Sequence, residues 1–338
     1  MNRSIEHELN VLFAEWESKM KANDNTSHFT RDGLMYNSLP NEQNEDFWFS
    51  SSKRVLFLLK DQNQQGMEKW DEDIREWLID TVNDKTESQL KIKEANRNLS
   101  PRFIRNLAYL LWGLSKADKD NPWWYDEVIK HFDEVKDFFN TQPFAIVECK
   151  KQPGGGKLED KKLKQHLADY GDLLIREIEI LSPTMIVCAG GPIYDFAINK
   201  LYPQEELITI EGHQEMRLHT STGTLIFFSY HPSDRKTSRD FYDSGVMYHY
   251  REFLEYQLKN ETIIIMATWK ITVKDTITHN GVHLEKGMFV EYVTPTLDHP
   301  LYKTTHHDAV NQLFKSKYGV DLKKIGFINV TRLDFEKK

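Results

Sequence analysis

The chain has 338 residues, of which 39% are hydrophobic and 28% are charged, so it can build a core and is long enough for two domains. Its net charge of −8 argues against a generally basic protein that coats nucleic acid, although a local basic patch stays open. The sequence has neither an apolar run of roughly 18 residues that would span a bilayer nor a secretory signal. We therefore expect a cytoplasmic protein with no membrane contact.

The first three quarters of the chain alternate helical patterns with short apolar runs. Apolar residues at helical spacing predict an opening helix over residues 5–22. Continuous apolar runs predict buried parallel strands at 54–59, 144–149, 184–189 and 224–230. Helical patterns lie between and after them, at 70–82, 103–114, 158–181 and 241–258. This alternation predicts a three-layer α/β/α domain over residues 1–260, with a mainly parallel four-stranded sheet.

The segments that follow the first two strands have a distinctive composition. The first strand is predicted to stop at Leu59, before the polar run 60–63. The second is predicted to stop at Cys149, because the Pro-Gly-Gly-Gly run 153–156 precludes a continued strand and predicts a loop. Lysines recur over 150–164, and they fit either phosphate contact or a solvated helix face.

Beyond Asn260 the pattern changes to short alternating runs. Strands at 269–273, 282–284, 288–293 and 326–330, with a helix over 308–318, predict a small α+β domain at 266–338. Through residues 284–288 and 315–321 it resembles a small uncharacterised domain found alone or fused in bacterial proteins. We expect this domain to contact DNA or a protein partner, or to self-associate.

Polar residues follow the predicted strands at the points where ligands bind in open parallel sheets, beyond the carboxyl ends. Three of the four strand ends are predicted to converge on one pocket. The residues are Lys60, Asp61, Gln62 and Asn63 after the first strand, Lys150 after the second, Gly190 after the third, and His231, Pro232 and Ser233 after the fourth.

The order of these motifs resembles the uracil-DNA glycosylase superfamily. In that superfamily a short polar motif with Asp or Asn follows the first strand and His-Pro-Ser follows the last, as residues 59–63 and 230–233 do here. Residues 181–190 are similar to its segment of leucine, proline, apolar strand and glycine. The resemblance covers roughly residues 50–255. The resemblance implies the fold of that superfamily. It also implies a DNA repair hydrolase that flips a uracil-like, damaged or modified base out of the DNA and cleaves its N-glycosidic bond.

The resemblance also implies roles for individual residues. Asp61 would orient a water molecule or stabilise the cationic sugar, and Asn63 is an alternative for positioning the water. His231 would donate a hydrogen bond to the departing base, where negative charge develops. Ser233 and neighbouring backbone amides would hold a phosphate, and Arg235 or Lys236 would probe the groove left by the extruded nucleotide.

This chain departs from the superfamily's pattern in its first motif and at its second strand. The first motif, with Lys60 and Gln62 beside the two candidate catalytic residues, lacks the usual Pro and Gly or Tyr. Where the superfamily commonly places a base-reading Asn, Glu148 is the only side chain that could pair with a base edge. The resemblance therefore does not determine which base is the target. Lys150 and Gly190 complete the predicted substrate-binding set.

We expect no cofactor and no metal. The iron-sulfur branches of the superfamily use four Cys, whereas this chain has only Cys149 and Cys188, which lie in apolar runs and read as buried thiols. The adjacent His306 and His307 lack a third spaced ligand, and a polar helix start is the better interpretation.

Structural interpretations stand beside the functional ones. Asp61 would equally serve as the cap of a following helix, and His231 as a histidine in a turn stiffened by Pro232. The aromatic run 123–125 is interpreted as core rather than as a stacking platform for bases. The leading alternative function is a non-catalytic nucleic-acid or nucleotide-binding module on the same fold, with defence against foreign DNA as its setting. A second is hydrolysis of a free nucleoside or modified nucleotide, which fits the lack of an extended basic surface better than binding to duplex DNA does.

Overall fold

The computed structural model describes residues 4–24, 28–37, 39–63, 73–76, 97–154, 158–210, 212–234, 237–259, 267–279, 282–294, 300–301 and 304–337. Contacts between Cα atoms divide the chain into two units. The larger unit consists of Ile5–His219 and Thr224–Glu255, and the smaller contains Tyr256–Lys338. The predicted domain limits, at residues 260 and 266, stay a prediction.

A seven-stranded sheet forms the centre of the larger unit. In chain order its strands are β1 (Gly33–Leu34), β2 (Val55–Asn63), β3 (Ala145–Gly154), β4 (Met185–Ala189), β5 (Leu207–Ile208), β6 (Met216–His219) and β7 (Thr224–Ser229). Their spatial order is β1-β3-β2-β4-β7-β6-β5. The four predicted strands, β2, β3, β4 and β7, pair in parallel, whereas β1, β5 and β6 pair antiparallel at the edges. The edge strands, of two to four residues, are too short to show a period in the sequence.

Helices cover both faces of this sheet. They are α1 (Ile5–Asp24), α2 (Asn41–Ser50), α3 (Arg102–Lys116), α4 (Tyr125–Val128), α5 (Phe132–Thr141), α6 (Asp160–Leu181), α7 (Gly191–Phe196), α8 (Ser238–Phe241) and α9 (Met247–Lys259). On one face, Leu58 of β2 packs in a cluster with residues of α1 and α6. On the other, Phe57 contacts Phe144, which stacks on Phe139 of α5. The predicted three-layer α/β/α fold is confirmed, while most of the predicted helix 70–82 lies outside the described residues.

Two central strands run further than the sequence predicts. β2 continues through Asp61 to Asn63 and β3 through Lys150 to Gly154, because the strands stay paired, with Asp61 opposite Lys150 and Asn63 opposite Gly154. The register is irregular between these two pairs. Pro153 lies in that stretch, where its missing N–H interrupts no regular ladder. The predictions that β2 ends at Leu59 and that β3 ends at Cys149 are therefore wrong.

The aromatic run ahead of α4 lies partly at the surface. Trp124 is 48% exposed, and the guanidinium of Arg251 lies 3.6 Å from the centroid of its ring. Its backbone N–H donates to the carboxylate of Glu127, which fixes Trp124 at the start of α4 with its ring outside the core. Trp123 and Tyr125 are half-buried. The interpretation of this run as core is wrong for Trp124.

The smaller unit contains a three-stranded antiparallel sheet, a hairpin and a helix. Its elements are β8 (Ala267–Val273), β9 (Ile277–His279), β10 (Val282–Leu284), β11 (Phe289–Thr294), α10 (Thr304–Tyr318) and β12 (Leu333–Lys337), and β8 is the central strand of the sheet. Ile271 and Phe314 pack in one core, so the helix covers the sheet and the predicted α+β class is confirmed. The predicted strand 326–330 is wrong, because Gly326 has a φ of +67° and the side chain of Asn329 accepts the backbone N–H of Arg332 in a turn.

Cys149 and Cys188 are buried free thiols, as the sequence predicts. Among the described helices, none combines the length and the apolar composition needed to cross a membrane.

Candidate functional site

The ends of β2 and β3 place three ionisable side chains on one face of the sheet. In the parallel register Leu59 lies opposite Glu148, and Asp61 lies opposite Lys150. Because side chains two residues apart on a strand point to the same face, Asp61, Glu148 and Lys150 share a face. We call these three residues the strand-end cluster. Within it, Nζ of Lys150 lies 3.7 Å from Oδ2 of Asp61.

Asp61 keeps an oxygen with unused hydrogen-bonding capacity. Its side chain is 8% exposed. Its Oδ2 is buried with no hydrogen-bond donor among the described residues. Burial raises the pKa of Asp61, while the positive charges of Lys150 and Lys60 act in the opposite direction. Since β2 continues past it, Asp61 is not the cap of a following helix, and its oxygen is suited to hold water or to face a cation.

Gly154 leaves the space that the Asp61 carboxylate occupies. A Cβ at position 154 would lie 2.1 Å from Oδ2 of Asp61 and 3.8 Å from Nζ of Lys150. The first distance is far below the 3.0 Å that real Cβ contacts respect. The sequence assigned this glycine to a loop, and its close approach to Asp61 becomes visible only in the pairing of β2 with β3.

Glu148 is the deeply buried acid of the strand-end cluster. The residue is 5% exposed, and its Oε2 has no hydrogen-bond partner among the described residues. Burial raises the pKa of Glu148 well above its ordinary value, and the negative charges of Asp32 and Asp61 raise it further, while the positive charges of Lys151 and Lys150 act in the opposite direction. The cluster therefore holds two acids in different environments: Asp61 lies 3.7 Å from the ammonium of Lys150, whereas no ion pair joins Glu148 to a cation among the described residues.

Lys151 points to the opposite face and is fully buried. Its Nζ lies 2.5 Å from Oδ1 of Asp32 and 2.7 Å from Oε2 of Glu177 in α6. The other carboxylate oxygen of Asp32 accepts the backbone N–H of Glu148 at 2.7 Å. Both surface interpretations of the lysine-rich segment are therefore wrong for Lys151. This ion-pair network fixes β3 directly behind the strand-end cluster, and sequence reasoning missed it.

The turn after β7 presents His231 in a defined tautomer. Nδ1 of His231 accepts the backbone N–H of Ser233 at 3.2 Å, and the hydroxyl oxygen of Ser233 lies 2.7 Å from the same nitrogen. Because a backbone amide can only donate, the proton of the neutral ring resides on Nε2. Burial lowers the pKa of His231, and the positive charge of Lys60 lowers it further. The ring is therefore a neutral N–H donor near pH 7.

The first turns of α3 hold this turn in place. Nδ2 of Asn106 donates to the backbone carbonyl of Pro232 at 2.7 Å, and the guanidinium of Arg102 donates to the carbonyl of Asp234 at 3.1 Å. The ring of Phe103 lies 5.7 Å from that of His231, centroid to centroid. Sequence reasoning missed these residues. The available signal was Asn106, a polar residue at the start of an otherwise apolar stretch of α3.

Lys60 connects the end of β2 with the turn after β7. Its ammonium lies 3.2 Å from Asp160 at the start of α6, and its Cε lies 3.3 Å from where a Cβ on Gly190 would be. Gly190 has a φ of +130°, which favours glycine at this position. The charge of Lys60 lowers the pKa of both Asp61 and His231. One ammonium group is therefore within electrostatic reach of both candidate catalytic side chains.

Gln62 is turned away from this group. It is 9% exposed, and its Oε1 accepts the hydroxyl of Thr30 at 3.2 Å, on the face opposite to Asp61. The side chain of Asn63 and the whole of Arg235 lie outside the described residues. In the part of the chain that the structure describes, no group of three or more His, Cys, Asp or Glu residues is arranged to hold a metal ion.

Comparisons with protein families match two separate parts of the chain. Residues 97–248 match the Uracil DNA glycosylase superfamily, and residues 266–335 match a Family of unknown function (DUF6140). A search of curated proteins gave no match. These findings confirm the resemblance to the superfamily and the separate C-terminal family. The superfamily match includes Glu148, Gly190 and the turn at His231, and it begins after β2, so Asp61 lies outside it.

Proposed function

We propose that the larger unit is a DNA glycosylase that hydrolyses the N-glycosidic bond of a uracil-like, damaged or modified base. The observation that carries this proposal is the tautomer of His231. Its Nδ1 is occupied by the Ser233 backbone N–H, so Nε2–H is the donor that remains for a ligand. This neutral donor lies in the segment that matches the superfamily.

The proposed chemistry uses two groups at one edge of the sheet. As the bond from C1′ to the base nitrogen breaks, the base leaves with the bonding electrons, and Nε2–H of His231 stabilises the developing negative charge. The carboxylate of Asp61 stabilises the cationic sugar or positions the water whose oxygen bonds to C1′. The proton released by this water passes to Asp61 or to the base.

Contacts to the nucleic acid are assigned to a small number of residues. Lys150 lies on β3 opposite Asp61, and Ser233 lies in the turn after β7 together with His231. Arg235 comes two residues after Ser233 in the sequence. With a net charge of −8, the chain is suited to local phosphate contacts around an extruded nucleotide rather than to an extended basic surface. Contact of the smaller unit with DNA, a partner or a second copy is part of this proposal.

A base-release assay tests the proposal. Single- and double-stranded DNA carrying uracil, hypoxanthine, xanthine or a phage-type modified base is incubated with the wild type and with Asp61→Asn. We expect release of free base from at least one substrate, and a rate about tenfold lower in Asp61→Asn, because the amide still bonds water but has lost its charge.

Asp172→Asn is the matched control, because Asp172 is an exposed acid that also pairs with a lysine, Lys19, at 3.2 Å. It should release base at the wild-type rate. If no substrate loses its base while all three proteins bind DNA equally, the non-catalytic module becomes the better assignment.

Gly154→Ala should lower base release by about 10- to 100-fold, because a methyl group there forces the Asp61 carboxylate to move, and small displacements of reacting groups cost this much. Single-turnover rates measure the effect, and urea unfolding shows whether the fold is kept. Gly191→Ala is the control, since a Cβ at Gly191 meets nothing within 4 Å. Equal rates in the two variants would refute the role given to the space beside Asp61.

A further inference from the structure

Lys150 and Lys151 are adjacent in the chain but have different surroundings. Lys151 is fully buried, and its ammonium lies 2.5 Å from Asp32 and 2.7 Å from Glu177, which is the geometry of a structural ion-pair network. The side chain of Lys150 is 15% exposed, and its Nζ lies 3.7 Å from Oδ2 of Asp61, which is longer than a hydrogen bond. Lys150 therefore keeps an accessible amine beside an acid to which it is not tightly bonded.

The amine of Lys150 lies where the proposed reaction leaves its product. Lys150 is opposite Asp61 in the register of β2 and β3, and the two side chains share a face of the sheet. Gly154 leaves room for both groups, since a Cβ there would lie 2.1 Å from Oδ2 of Asp61 and 3.8 Å from Nζ of Lys150. Hydrolysis of an N-glycosidic bond leaves an abasic deoxyribose, whose ring-opened form has an aldehyde at C1′. Because Asp61 is proposed to act at C1′, the amine of Lys150 is close to the same carbon.

The surroundings of Lys150 make its ammonium easier to deprotonate than that of an exposed lysine. Burial lowers the pKa of Lys150, and the positive charge of Lys162 lowers it further, while the negative charges of Asp61 and Glu148 act in the opposite direction. Burial also raises the pKa of Asp61, which makes its carboxylate a stronger base. The neutral amine is the form that attacks a carbonyl carbon, and partly desolvated lysines are suited to this chemistry.

Building on the function proposed above, we propose that the same site also cleaves the DNA strand at abasic deoxyribose, with the amine of Lys150 as the nucleophile of a lyase reaction. The ammonium gives one proton to Asp61, and the lone pair of the resulting amine bonds to C1′ of the aldehyde. The former carbonyl oxygen takes one proton from the attacking nitrogen and one from Asp61, and it leaves as water. A protonated imine between Lys150 and C1′ remains.

The imine then allows the strand to break by elimination. The carboxylate of Asp61 takes a proton from C2′, and the electrons of that C–H bond form the C1′–C2′ double bond of an enamine. These electrons then form a double bond between C2′ and C3′, the C3′–O3′ bond breaks, and the phosphate leaves with the bonding electrons. Water hydrolyses the remaining imine, which releases an unsaturated aldehyde and restores the amine of Lys150.

Reductive trapping on preformed abasic sites tests this inference without requiring base release. The full chain is incubated with end-labelled DNA that carries one abasic deoxyribose, in the presence of sodium borohydride, which reduces an imine to a stable amine. We expect a covalent complex of the wild type with DNA, and peptide mass spectrometry should locate the adduct on Lys150. Lys150→Arg keeps the positive charge, but its guanidinium is not a nucleophile. Trapping, and strand cleavage without borohydride, should therefore fall at least about 100-fold, while DNA binding in a gel shift stays within about threefold.

Lys53→Arg is the matched control. Lys53 is also half-buried, and burial lowers its pKa to about 8. Its Nζ donates to the backbone carbonyl of Ala117 at 2.6 Å, as that of Lys150 donates to the carbonyl of Gln152 at 2.5 Å. Because Lys53 precedes β2, at the end of the strand opposite to Asp61, its replacement should leave trapping and cleavage unchanged. DNA with a tetrahydrofuran in place of the deoxyribose has no aldehyde and should give no complex.

The outcomes separate this inference from the function on which it rests. An adduct on Lys150 that is lost in Lys150→Arg and kept in Lys53→Arg supports the lyase. An adduct located on another residue of the wild type, or equal trapping in the wild type and Lys150→Arg, overturns it. Base release by the wild type without trapping on abasic DNA overturns the lyase and leaves the proposed function standing. Trapping through Lys150 without release of any base supports the lyase and counts against the proposed glycosylase.

Discussion

His231→Ala is expected to slow base release by about 10²- to 10³-fold, the usual consequence of removing one preorganised donor from the site of developing negative charge. The backbone N–H of Ser233 holds Nδ1, so Nε2–H is already the free donor of the ring before a ligand binds. Alanine removes this donor together with the acceptor of the Ser233 N–H, while the bond from Asn106 to the backbone carbonyl of Pro232 still anchors the turn. Single-turnover rates with saturating enzyme measure the effect.

His131→Ala is the matched control. His131 is also a partly exposed histidine beside an aromatic ring, since it stacks on Trp112 at 6.4 Å between centroids. Its replacement should leave the rate unchanged. Equal rates in His231→Ala and the wild type would remove the leaving-group role of His231, and Asp61 would then have to carry the reaction alone.

The sequence places the candidate site at the carboxyl ends of the parallel strands, because polar residues follow three of the four apolar runs. Four apolar runs identified the parallel strands, and the carboxyl ends of such strands meet at one edge. Asp61, Glu148 and Lys150 do share a face there, and Lys60 lies within electrostatic reach of both Asp61 and His231. The composition and order of the apolar runs and of the polar residues after them were therefore sufficient to identify which edge of the sheet holds these side chains.

The internal arrangement of the site could not be predicted, because it depends on pairing register. Lys150 and Lys151 are adjacent in the chain, yet alternation along β3 places one beside Asp61 and buries the other beside Asp32. Gly154 looks like part of a loop until its register opposite β2 brings it against the Asp61 carboxylate. No local pattern in the sequence encodes these long-range contacts.

Lys151→Met is expected to lower the free energy of unfolding by about 3–5 kcal/mol, the range observed when one partner of a buried ion pair is removed. Lys151 is fully buried, and its ammonium lies 2.5 Å from Asp32 and 2.7 Å from Glu177. Methionine fills much of the volume of the lysine side chain but leaves the carboxylate of Asp32 buried without a counter-charge. Urea unfolding at pH 7, followed by circular dichroism, measures the change.

Three further variants separate the charge effect from packing. Glu177→Gln should cost less than Lys151→Met, because Lys151 keeps its ion pair with Asp32, and burial together with the negative charge of Asp32 raises the pKa of Glu177. Lys19→Met removes an exposed ion pair with Asp172, worth about 0–1 kcal/mol. Adding Asp32→Asn to Lys151→Met should recover much of the lost stability, since the carboxylate of Asp32 is then no longer buried without a counter-charge. If Lys151→Met costs no more than Lys19→Met, the network behind the strand-end cluster does not stabilise β3 as its geometry indicates.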